Sequence, residues 1–153
     1  MDALKDPYPG ESATPEDVLK LAEAYAEAAS YLKEKHQRGQ PLTQAPGRLC
    51  AIHAVELYLN AFLAKAGFSA ADIRGMHHNL SRHAEVANGH KLALRKKTYE
   101  HLCTLADNRE YLSMRYEPNN DGTKVSELNR IYATLTDVRE KVRKLIVGIE
   151  PPE

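Results

Sequence analysis

Only two of the 153 residues are cysteine, Cys50 and Cys103, and they form no CxxC pair. A disulfide scaffold is therefore not expected; two reduced, buried thiols of a cytoplasmic protein are. The N-terminal stretch MDALKDPYPGES is polar and lacks an apolar h-region, so no signal peptide is expected. No apolar run reaches about 18 residues, and so no membrane span is expected. Formal net charge is zero, with 21 basic and 21 acidic side chains. That removes the bulk electrostatic footprint of a polyanion-binding protein and leaves room only for a local basic face. GxxxxGK, GxSxG, GxGxxG and HExxH are all missing, which argues against a P-loop, a serine-hydrolase elbow, a dinucleotide site and a zinc-protease helix. Strand-like alternation and internal repeats are missing as well.

What is present is helical periodicity. Residues 1–13 read as a flexible or lightly docked arm. Thr14-Pro15-Glu16-Asp17 then supplies a cap, a proline for the first turn and acids for the positive helix end. Val18, Leu21, Tyr25, Ala28 and Leu32 give that helix one apolar face, which fades near His36 to Gly39. The prolines of RGQPLTQAPG predict a loop. Gly47 to about Ala66 is apolar on nearly every side, so it should be a central helix wrapped by the others, with Gly67 as its C-terminal cap. His53, Glu56 and Asn60 form one polar stripe on it. A short helix capped by Asn79 or His78 should run to about Ala87. A fourth is expected over about 95–115, with Leu102, Leu105, Arg109, Leu112 and Tyr116 in line. Pro118 to Gly122 predicts a turn. The last helix, about 124–148, should bury Leu128, Ile131, Leu135, Val138, Val142, Leu145 and Ile149. The expected fold is all-α: an up-and-down four-helix bundle with one extra short helix, spanning 14–149 as a single domain before a tail at 150–153.

The run AVELYLNAFLAKAG, the step His78-Asn79-Leu80 and the ending Tyr111 to Pro118 together resemble the HEPN (higher eukaryotes and prokaryotes nucleotide-binding) domain family. The resemblance covers roughly residues 16–146. It implies a four-helix core that dimerises through helix faces, and a link to nucleotides or RNA. Many members are metal-independent endoribonucleases, often toxins or defence proteins, with an Arg-x(4–6)-His motif whose sites meet at the dimer interface. Others lack that motif and bind ligands or support assembly.

Two segments match the motif by spacing, Arg48 to His53 and Arg95 to His101. Neither has the polar residue that commonly follows the arginine. Positions five or six apart lie about 140° or 240° around a helix, so neither pair shares a face. The chemistry would suit them: a histidine base for the 2′-hydroxyl and an arginine fork for the phosphorane. His53, Arg48, His101 and Arg95 are thus the catalytic candidates. Glu56, Asn60, His78, Arg109, Arg115, Tyr116, Lys96 and Lys97 are the binding candidates. Glu56 is expected to pair with Arg109 or Arg115 across the core. The basic run Lys91, Arg95, Lys96 and Lys97 can meet phosphates but has only Tyr99 nearby for stacking. His77, His78, His83 and His90 do not share one face, so no metal and no cofactor is expected. The function expected is a dimeric HEPN-like module, without catalysis, binding a nucleotide, RNA or a protein partner such as a nucleotidyltransferase. An endoribonuclease, and a helical interaction module with no nucleic-acid role, are the alternatives.

Overall fold

The computed structural model describes residues 6–119 and 125–148. Within them the chain is an all-α bundle of seven helices, two more than the spacing predicted. Asn120 to Lys124 of the expected turn and last-helix start, together with Ile149 and the tail, lie outside the described residues.

Helix α1 (Pro15–Lys33) begins as the sequence predicts. Asp17 N–H donates to Thr14 Oγ1 at 3.1 Å, and Thr14 N–H donates back to Asp17 Oδ2 at 3.0 Å, closing a capping box. Its orientation differs from expectation. Leu19, Ala22, Ala26 and Ala29 are buried, while Leu21 and Tyr25 are exposed. The alanine stripe lets α1 lie close along its neighbour, and the larger residues flank that contact. Of the N-terminal arm, Glu11 and Tyr8 rest on Arg74. Its Nη1 lies 2.5 Å from Glu11 Oε2, and its guanidinium sits 4.3 Å from the Tyr8 ring centre.

Helix α2 (Pro41–Lys65) starts six residues before the expected position and contains Pro46. Pro41 occupies the first turn, where its missing N–H is harmless. Pro46 lies one turn in, on the solvent side with Leu42, where water can satisfy the carbonyl that it leaves free. The next residue, Gly47, is buried under His36; a Cβ there would come within 2.3 Å of the imidazole Nε2. From Ala51 to Leu63, α2 is buried nearly all round, against α1, α3, α4, α6 and α7. Gly67 follows it at φ +103°, and Phe68 N–H returns to the Leu63 carbonyl, the C-terminal motif that glycine permits.

The connector after α2 contains a helical turn of its own, α3 (Ala70–Arg74), boxed by Ser69 and Asp72. Helix α4 (Leu80–Gly89) is capped by Asn79, whose side chain accepts from Arg82 N–H at 3.2 Å. The expected fourth helix is broken into α5 (Lys96–Asp107) and α6 (Glu110–Tyr116). Arg109 sits at the break in the left-handed region, φ 49°. Helix α7 (Leu128–Val147) buries Ile131, Leu135, Val138, Val142 and Ile146, whereas Leu145 is exposed. Asp137 of α7 reaches across to accept from Arg95 N–H at 3.0 Å, so one helix caps another. Both cysteines are free and half-buried rather than buried. No described helix is long and apolar enough to cross a membrane.

Candidate functional site

The polar stripe of α2 faces the linker between α3 and α4. The Glu56 side chain is 12% exposed and takes two imidazoles. His78 Nδ1–H donates to Oε1 at 2.6 Å, and His53 Nδ1 lies 3.7 Å from Oε2. Burial pushes the Glu56 carboxyl up, but the hydrogen bond from His53 and the charge of His78 outweigh it, leaving it below its ordinary value. The expected pairing with Arg109 or Arg115 does not form. Arg109 stands at the helix break, and Arg115 is exposed beside the Tyr116 ring. One turn along α2, the Asn60 side chain meets His83 Nε2 at 2.9 Å, while His83 Nδ1–H donates to the Asn79 carbonyl at 2.8 Å. Burial lowers the pKa of this imidazole. Tyr25 of α1 sets its ring edge-on to His53, centroids 4.5 Å apart.

Beyond Glu56 the surface opens into a cavity of about 460 Å³. The α3–α4 linker supplies His77 and His78, α4 supplies Arg82, and the α5–α6 break supplies Arg109 with Tyr111 and Leu112. Its lining holds two guanidiniums and two imidazoles but no Asp or Glu. Arg82 lies 3.5 Å from exposed Glu85. Among the described residues Arg109 and His77 have no side-chain partner. Tyr111 lies beside His78, ring centroids 5.6 Å apart. His77 (φ 49°), His78 (φ 61°) and Arg109 (φ 49°) all have left-handed backbones. Such non-glycine conformations cost on the order of 1–3 kcal/mol each and gather at functional sites. Here three of the four in the described chain line one cavity.

The two sequence-matched Arg/His pairs are taken apart. Arg48 turns away from His53, donating to the Ser126 carbonyl at 2.7 Å and to Gln44 Oε1 at 3.0 Å. Arg95 lies against Asp137, and His101 is buried elsewhere. Ser126 instead brings together one member of each pair. Thr134 Oγ1–H donates to His101 Nδ1 at 2.6 Å, and His101 Nε2–H donates to Ser126 Oγ at 2.7 Å. Ser126 in turn donates from both Oγ–H and N–H to Glu110 Oε1, each at 2.5 Å. Burial, and then the Arg130 charge, push the His101 pKa down to about 4. Both ring nitrogens of His101 are engaged in this network, and its ring sits at the edge of a cavity that it lines with Lys97 and Arg130. That cavity, of about 330 Å³, is separate from the first, and Lys96 lies 3.9 Å from Glu100.

The sequence pointed to Glu56, Asn60, His78 and Arg109, which the fold gathers around one region. It did not point to Tyr25, Arg82, Tyr111, Glu110 or Ser126 as site residues. Their roles depend on the α5–α6 break and on contacts between helices distant in sequence, for which no local motif exists. Among the described residues no group of three or more His, Cys, Asp or Glu side chains is placed to hold a metal ion. Comparisons with protein-family models, with curated proteins and with solved structures find no significant match.

Proposed function

We propose that this chain is a HEPN-like helical module that acts as a homodimer and binds a nucleotide or RNA at the cavity between the α3–α4 linker and α6. The observation carrying this reading is the acid-free lining: Arg82, Arg109, His77 and His78 converge beside Tyr111 in a chain of zero net charge. Guanidinium forks suit phosphate oxygens, and a tyrosine ring offers a base a stacking face. Leu21 and Tyr31 leave an exposed apolar strip on the outer face of α1 for the second copy. Fluorescence anisotropy with labelled RNA at two salt concentrations tests the reading. Binding should weaken with salt, and Arg109→Ala should lower affinity about tenfold, the value of one charge-assisted contact. Negligible binding by the wild type, both to RNA and to mononucleotide, would sink it.

A second reading, a metal-independent endoribonuclease, is favoured by the His53–Glu56–His78 arrangement rather than by either Arg/His spacing. Both imidazoles turn Nδ1 to the same carboxylate, which leaves each Nε2 for acid–base work. Cleavage of labelled RNA in the presence of a chelator, lost in both His53→Ala and His78→Ala, is its expected signature. Intact RNA after long incubation with wild type discards it.

A further inference from the structure

The shape of the cavity bears on which phosphate it takes. A site that holds a strand needs cations following its backbone and successive aromatic platforms. Here the donor side chains gather around one spot. Arg82 comes from the first turn of α4, Arg109 from the opposite rim, and His77 and His78 from the linker between. Tyr111 is the one aromatic ring in the lining other than the imidazoles, and Met76 and Ala106 contribute apolar surface beside the charges. Of the basic run on α5, none lines this cavity: Arg95 and Lys96 stand near Asp137 and Glu100, and Lys97 lines a different cavity. About 460 Å³ lies within the range of small-ligand sites. Glu56, the carboxylate behind the cavity, is already taken up by His53 and His78.

We propose that this cavity is selective for a phosphate monoester, the terminal phosphate of a nucleotide or of an RNA end, over the internal diester of a strand. The inference rests on the proposed reading of the cavity as a phosphate site. A monoester offers up to two charges and three free oxygens to donors on several sides. An internal diester offers one charge and two, and its chain must leave in both directions past Tyr111 and the linker. Arg109 and Arg82 are the residues that hold the added charge.

Isothermal titration calorimetry at neutral pH and fixed salt decides the matter with four probes: adenosine, 5′-AMP, and one short oligoadenylate with either a 5′-phosphate or a 5′-hydroxyl. AMP and the 5′-phosphorylated oligomer should bind about tenfold or more tightly than their unphosphorylated counterparts. Arg109→Ala and Arg82→Ala, both changes at exposed positions, should shrink that preference while the helical circular dichroism stays unchanged. Equal binding of the two oligomers, with both weakened by Arg109→Ala, would overturn the selectivity and leave the phosphate-site reading standing. Equal binding of adenosine and AMP also overturns it. If no probe binds, the reading of the cavity fails and the selectivity fails with it.

Discussion

Glu110 is a fully buried carboxylate whose hydrogen-bond donors come from a serine rather than an arginine. Burial raises its carboxyl above the ordinary value, only partly offset by Ser126 and Arg48. His101, on the far side of the same serine, is shifted the opposite way. An imidazole that stays neutral down to about 4 in the folded state, against 6.5 unfolded, contributes stability that is complete above 6.5. That stability is lost as pH falls from 6.5 to about 4. Its size is on the order of 3 kcal/mol. Glu110 acts with the other sign: its raised carboxyl disfavours folding at neutral pH, and the penalty eases as pH drops through the folded value. His101→Gln removes only the first effect. It should be less stable than wild type at neutral pH and should lose less stability on acidification. Urea midpoints measured across that range check this, and an unchanged slope would remove His101 from the acid response. None of this was legible from the chain, because Thr134, Ser126 and Glu110 are brought to His101 from three separate segments.

At the level of elements, much could be read directly. The Thr14 cap, the Gly67 cap and the wrapped character of α2 follow from local spacing, and each is present. The errors share one cause, which is that neighbours override local preference. On α1, close contact with α2 turns the alanines inward and leaves Leu21 and Tyr25 outside. On α7, Ile146 takes the place expected of Leu145. The fourth helix has no proline or glycine at its break; Glu110 turns inward to Ser126, and Arg109 takes up the reversal at φ 49°. Replacing that residue separates scaffold from site. Arg109→Gly should relieve left-handed strain and stabilise the fold by about 1 kcal/mol, while lowering nucleotide affinity. A higher thermal midpoint together with weaker binding is the expected pair of results. A drop in both would show that the Arg109 side chain supports the fold.

For the whole molecule, the proposed homodimer makes the outer strip of α1 the most informative surface. Leu21 is 50% exposed and Tyr31 71%, so replacing Leu21 removes no core contact. Leu21→Glu should convert a dimer to a monomer in sedimentation velocity, with the urea midpoint little changed. Wild type that sediments as a monomer at high concentration would end the homodimer proposal. The sequence by itself determined the all-α class, the starts of α1, α4 and α5, and the central place of α2. Those follow from apolar periodicity and caps, which act within a few residues. Only the tertiary structure decided that Glu56 takes His53 and His78 instead of an arginine. It also decided that Arg48 and His101 meet at Ser126, and that Arg82, Arg109, His77 and His78 surround one cavity. Each of these depends on how helices pack and where the chain reverses, and both are set by the sum of long-range contacts.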